Sequence, residues 1–337
     1  MPSAEGAGAG PAAPAGHRYD ELHLRGPSGT WRPLVGVLLV TVLFFAGQFV
    51  LTGLFGVFLL VTSRDSHEIA ARLSGDPVTP VFLAYVNLGW ALAIPAVLLV
   101  ALLLHHQRPG LVASVAGRLR WGWLAICLGI AFVALALAVA VSGMLPDQGA
   151  GTIDTDGGVN PWTSAVRDFL LVIVLLTPLQ AAGEEYVFRG YLAQAFGGLA
   201  SRLGAWASAT VAVVVPAALF ALAHGLGQDL PIFFDRFAFG VVAGLLVVLT
   251  GGLEAGIAMH VLNNFVAFGL ALAFGDMTEA LQPSDGTWWA VPVTLVQSVG
   301  YLLLAVWTAR RLGVVNRVGG GGSGGGGAIL EARRGRV

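Results

Sequence analysis

The chain has 337 residues, 56% of them hydrophobic and only 11% charged, with a formal net charge of −1. A soluble domain carries about 25% charged residues, so an ordinary water-soluble globule is excluded. No basic run of the kind that grips nucleic acid is present either, so no nucleic-acid partner is expected.

Residues 1–33 are rich in Gly, Ala and Pro with scattered charges, and are expected to be a disordered tail outside the fold. The first apolar run begins near Leu34 and is too long for the core of a cleavable signal peptide. About eight apolar runs follow, at 34–61, 80–104, 121–144, 165–198, 205–224, 231–250, 254–274 and 288–309. Each is near the ~20 residues that span a bilayer. In lipid every backbone group must be bonded within the protein, which leaves helices and closed barrels. Runs this long and saturated predict an all-α polytopic membrane protein: a transmembrane domain over 34–311 with about eight helices and a buried polar active site. Residues 312–337 contain Gly319–Gly327, GGGGSGGGG, and read as a flexible tail.

Orientation is read from basic residues near helix ends. Arg18, Arg25 and Arg32 precede the first run, Arg108, Arg118 and Arg120 lie between the second and third, Arg202 follows the fourth, and Arg310, Arg311 and Arg317 follow the eighth. The opposite loops carry Asp147, Asp154, Asp156, Asp276, Glu279 and Asp285. Both termini are therefore expected in the cytoplasm. All 18 basic residues are arginine, a codon bias that points to a GC-rich bacterial genome and hence to the bacterial plasma membrane. Cys127 is the single cysteine, so no intramolecular disulfide can form. Oligomeric state is not legible.

Three clusters carry chemistry. The first is Glu184-Glu185-Tyr186-Val187-Phe188-Arg189, near the middle of the fourth run. An acidic side chain at the centre of a membrane helix costs roughly 2.5–3.5 kcal/mol on insertion scales. Glu185 and Arg189 are one turn apart and can pair, but this leaves Glu184 without a partner. The second cluster is Phe220-Ala-Leu-Ala-His224, and the third is His260-Val-Leu-Asn263-Asn264, where His260 and Asn264 share a helical face. Singly, the histidines and the amide read as capping or interhelical glue. Jointly they supply what hydrolysis of an amide requires. A glutamate takes a proton from water, two histidines and a carboxylate can hold a catalytic zinc, and an asparagine amide can donate to an oxyanion.

In this order on apolar helices, Glu-Glu-x-x-x-Arg, Phe-x-x-x-His and His-x-x-x-Asn resemble the CPBP family. That family groups CAAX prenyl endopeptidases with bacteriocin-processing and immunity-related membrane proteins (also called Abi). The resemblance covers about residues 165–275. It implies glutamate-dependent intramembrane proteolysis of a membrane-associated or lipid-anchored peptide, with membrane lipids and that substrate as the partners. Glu184 would be the base, Glu185 and Arg189 its neighbouring pair, and His224 its partner on another helix. His260 and Asn264 would bind metal or stabilise the oxyanion. The resemblance leaves two chemistries open: a divalent metal such as zinc on Glu184, His224 and His260, or a metal-free glutamate mechanism. His67-Glu68-Ile-Ala-Ala71 begins like the soluble zinc-protease signature but has alanine where the second ligand belongs. The competing reading is a non-catalytic immunity or protein-sorting scaffold that keeps the fold.

Depth and packing supply further expectations. At 1.5 Å per residue, Glu184 lies roughly 24 Å from a helix end near Ala200, and His224 roughly 28 Å along the next helix. His260 lies only roughly 9–12 Å from the Gly251-Gly252 turn by the same rise. Either that turn dips inward or a span is broken, at Pro216 or Gly256. Gly240-x-x-x-Gly244 predicts close helix packing within the chain. Asn87 and Gln180 read as helix glue, and Asp235-Arg236 as an interfacial pair, with a lining of the substrate route as the alternative.

Overall fold

The computed structural model describes residues 16–63, 65–145, 158–225, 228–283 and 286–319. Arg64, Asp147, Asp154, Asp156, Asp285 and most of the Gly-rich tail, on which the loop-charge and linker readings rest, lie outside the described residues.

Among the described residues, eight helical spans are long and apolar enough to cross a membrane. α1 (Trp31–Thr62) is followed by the short α2 (Ser66–Ser74). α3 (Pro80–Ala91) and α4 (Ala93–Leu103) together make the second span. Thr79 starts α3 by accepting a hydrogen bond from the Phe82 N–H at 3.2 Å, with Pro80 in the first turn. After α5 (Gly110–Ala113) come α6 (Trp121–Ser142) and then α7 (Ser164–Glu185). α7 continues through a π-helical segment, Tyr186–Leu192, into α8 (Ala193–Ala200). α9 (Ala205–Ala223), α10 (Leu230–Thr250), α11 (Glu254–Phe274), the short α12 (Met277–Leu281) and α13 (Ala290–Arg311) complete the order. Phe45, Phe49, Val61, Phe132 and Leu303 are more than half exposed, as lipid-facing side chains should be.

α7 and its continuation form the central rod. It packs against α3 on one side and α11 on the other, with α6 and α13 behind α11 and the α9–α10 pair closing the remaining face. Asn87 donates to Thr177 Oγ1 at 3.1 Å across α3 and α7, which is the glue expected of it. The glycine motif also acts within the chain. A Cβ at Gly240 would stand 3.0 Å from the Ala217 Cα, and one at Gly244 would stand 3.2 Å from the Val213 Cα. Larger residues there would force α10 off α9.

One end of the bundle is closed by a polar cap that composition did not reveal. Residues 1–15 are not described, but His17–Arg18 (β1) pairs antiparallel with Arg317–Val318 (β2), so both described chain ends meet. Tyr19–Arg25 then forms a 3-10 turn against α8, with Tyr19, Asp20, Leu22 and His23 buried. The Tyr19 hydroxyl donates to the Val112 carbonyl. Asp20 receives Arg18 at 2.6 Å and the Ser208 hydroxyl at 2.8 Å. The expected disordered tail is thus corrected over residues 17–25. These residues are too few to fold alone, but they borrow a core from α8 and α9.

The cap also resolves the depth conflict. α9 runs through Pro216 and α11 through Gly256 without interruption. The Gly251–Glu254 turn is instead buried. Arg120 clamps Glu254 through Nε at 2.8 Å and Nη2 at 2.6 Å, and its Nη1 donates to the Val315 carbonyl at 2.9 Å. The rod from Ser164 to Leu203 has 40 residues, roughly 60 Å at 1.5 Å per residue and about twice the ~30 Å hydrocarbon core. A Cβ at Gly190 would stand 3.6 Å from the Leu253 Cδ1, so the Gly251–Glu254 turn meets the rod well before Ala200 and rulers laid from the two disagree.

Within the cap the His23 and His105 rings stack at 3.9 Å and 9°. The His105 Nε2 meets the Tyr191 hydroxyl at 2.7 Å, and neither His23 nitrogen has a hydrogen-bond partner. Burial, with Arg32 adding to it, pushes His105 down to about 4, and burial together with His105 pushes His23 well below the usual histidine range. Unfolded imidazoles titrate near 6.5. Between that value and about 4 the unfolded chain binds more protons than the folded one, so stability falls with the pH. Melting temperature in detergent should drop on going from pH 7 to pH 5, and His23→Phe should flatten that drop. An acid limb unchanged by His23→Phe would show that this stack does not set it.

Candidate active site

The rod carries two buried carboxylates at the point where its helix changes pitch. Glu184 is 3% exposed and Glu185 0%, and the π segment that begins at Tyr186 carries Arg189, 1% exposed. Such segments inside α-helices are frequent at functional sites because they re-aim side chains. Glu185 Oε1 faces Arg189 Nη1 at 3.1 Å, one turn along the rod. The guanidinium also lies 4.1 Å from the centroid of Phe220, on α9. A cation over a ring face is held electrostatically by the ring quadrupole. The pair is an ion contact without hydrogen-bond geometry, since Nε, Nη1 and Nη2 of Arg189 all lack a hydrogen-bond partner.

α11 brings His260 between the two carboxylates. Its Nδ1 is 3.0 Å from Glu185 Oε1, and its Nε2 is 3.6 Å from Glu184 Oε2. A carboxylate only accepts, so Nδ1 carries the hydrogen toward Glu185 and the ring is fixed edge-on between the two acids. Phe239 packs on it at 5.3 Å and 73°, and Phe220 at 6.0 Å and 87°. Gly256, one turn before His260, permits this approach: a Cβ there would stand 2.8 Å from Glu185 Oε2.

Asn264, one turn after His260, joins through a residue that the sequence reading had set aside as glue. Asn264 Nδ2 donates to Gln180 Oε1 at 2.9 Å, and Gln180 Nε2 donates to Glu184 Oε1 at 2.5 Å. Gln180 thus orients the Glu184 carboxylate. The available signal was its position one turn before Glu184 on the same helical face. With Oε1 held by Gln180, Glu184 Oε2 is buried and accepts no hydrogen bond.

His224 makes its hydrogen bond outside this cluster. It caps the end of α9, and its Nδ1 is 2.8 Å from the Phe220 carbonyl oxygen. A carbonyl can only accept, so Nδ1 is the protonated nitrogen and Nε2 keeps its lone pair. The Phe220 ring packs on both imidazoles, 4.6 Å from His224 and 6.0 Å from His260. Asp235 and Arg236 attract each other, but only from beyond ion-pair distance. No ion pair joins them among the described residues, and the buried Asp235 Oδ1 and Arg236 Nε have no hydrogen-bond partner.

Glu184, His224 and His260 are not grouped as metal ligands here. Among the described residues no three His, Cys, Asp or Glu side chains are placed to hold an ion together. The Nδ1 of His260 is already engaged by Glu185, and that of His224 by the Phe220 carbonyl. This donor set does not fit a resident zinc, and the chemistry below is derived without one.

Fold and site define a multi-pass membrane protein with a buried Glu-Glu-Arg-His-Asn centre. Residues 166–266 match the model of the Rce1-like family, described as type II CAAX prenyl endopeptidase Rce1-like. That stretch contains all three motifs and agrees with their CPBP resemblance. A relative from Bacillus subtilis (strain 168), "Uncharacterized protein YyaK", is 23% identical over 257 residues, covering 72% of this chain and 78% of its own length. No solved structure matches the chain.

Proposed function

We propose that the protein is an intramembrane endopeptidase that hydrolyses a peptide bond in a membrane-associated or lipid-anchored peptide, with Glu184 as general base. One observation carries the reading. Glu184 Oε2 is buried, accepts no hydrogen bond from the protein and faces the His260 ring, while Gln180 fixes the carboxylate's other oxygen. A stranded acceptor of this kind is costly in a structural role but suited to taking a proton from water.

In this mechanism Glu184 removes a proton from water as the oxygen adds to the scissile carbonyl. The second amide hydrogen of Asn264, not used by Gln180, donates to the oxyanion. So does His260 through Nε2 when that nitrogen carries a proton. Glu184 then returns its proton to the leaving nitrogen as the C–N bond breaks, and a carboxylic acid and an amine depart. Glu185 and Arg189 do not touch the reacting atoms; they position His260 and balance charge. The arginines at the helix ends favour both termini on the cytoplasmic side, and the all-arginine basic set favours a bacterial plasma membrane.

Purified protein should cleave a peptide carrying a hydrophobic anchor faster than the same peptide without one, in the same micelles, because the carboxylates lie inside an apolar rod. Equal turnover would show that membrane delivery is not the basis of selection. Strong chelators should leave cleavage intact. Inactivation by chelator with recovery on adding zinc would replace the metal-free route with the metal route.

A further inference from the structure

Arg236 lies in the second turn of α10, inside the sixth span, and is half-buried. A cation inside a membrane span is costly and ordinarily pairs with an acid or a carbonyl. Asp235, its neighbour in the chain, attracts this one, but among the described residues no acid reaches ion-pair distance, and its Nε is buried without a partner. Phe239 follows three residues later on the same helical face, and the Phe239 ring packs on His260 at 5.3 Å. Arg236 therefore sits one turn, roughly 5 Å along the axis, from the residue that walls the catalytic imidazole. Gly240, one residue beyond Phe239, packs on Ala217 of α9, so Arg236 lies on the side of α10 turned toward α9 and His260.

We propose that Arg236 is the binding group for a carboxylate of the substrate peptide, so that the site selects chains with a negative charge close to the cut bond. This rests on the endopeptidase reading. A guanidinium presents a planar fork that a carboxylate matches with two parallel charge-assisted hydrogen bonds. Of the chains that enter an intramembrane peptidase site, a peptide supplies carboxylates from two sources, its C-terminus and its Asp or Glu side chains. Both place the charge within reach of one helical turn.

Three anchored, dansyl-labelled peptides of one sequence separate the sources in zwitterionic micelles: one ending in a free carboxylate, one in a carboxamide, and one in a carboxamide preceded by Asp. For the wild-type protein the free acid should show a KM about 10- to 100-fold below that of the amide, the worth of a hydrogen bond to a charged group. In Arg236→Gln that ratio should fall to about one, and Arg236→Lys should restore part of it. Low KM for the Asp peptide assigns the interaction to any nearby carboxylate, and high KM confines it to the C-terminus. A merely structural arginine would shift all three peptides together. Equal KM for acid and amide in the wild type, or a ratio that survives in Arg236→Gln, overturns the proposal. Binding of the same peptides to Glu184→Gln, read by dansyl fluorescence, separates the two claims. A preference for the acid that Arg236→Gln abolishes, without cleavage by the wild type, keeps the carboxylate site and removes the peptidase reading.

Discussion

Glu184→Gln is expected to abolish proteolysis while leaving the fold intact. Glutamine keeps the side chain's shape and can still accept the Gln180 amide at the position of Oε1. It cannot take a proton from water. General-base contributions of roughly 100- to 10,000-fold set the scale of the loss. Elution profile and melting temperature should stay near wild type, because Oε2 makes no hydrogen bond that the amide would break. Activity retained within a few fold would remove Glu184 from the reaction.

Glu185→Gln should behave in the opposite sense, with loss of stability preceding any question of rate. Glu185 is the acid paired with Arg189, and both are essentially inaccessible. Breaking a buried pair by removing one partner typically costs about 3–5 kcal/mol, because the other charge stays buried. The same substitution weakens the hold on the His260 Nδ1. Melting temperature should therefore fall sharply. Glu185→Gln combined with Arg189→Gln should cost less stability than the sum of the two single changes, as contacting partners do, without recovering activity. Wild-type stability in Glu185→Gln would mean that the Phe220 face alone holds the Arg189 charge.

Much of this architecture was legible in the sequence because a bilayer leaves few choices. Eight apolar runs became eight spans with boundaries a few residues apart, since backbone satisfaction in lipid forces helix wherever the run is long enough. The three motifs likewise announced themselves as polar residues in apolar surroundings, and Glu184, Glu185, Arg189, His260 and Asn264 do converge. Local reading failed where partners come from far along the chain. Tyr19 and Asp20 look like tail residues until Val112 and Ser208, at 93 and 188 residues' separation, reach them. Gln180 differed from Asn87 only in standing one turn before Glu184, since both are amides in apolar helices. The π segment has no signature in composition. His224 shares its motif's spacing with a capping histidine, and the Phe220 ring packs on it as on His260.

The central claim is that water activated at Glu184 cleaves a membrane-borne peptide. Its most direct test is mass spectrometry of an anchored peptide incubated with the purified protein in isotopically heavy water, beside Glu184→Gln. The account predicts two products, with one heavy oxygen in the new carboxylate, from the wild type and intact peptide from the variant. Intact peptide from both proteins, or equal cleavage by both, would contradict it.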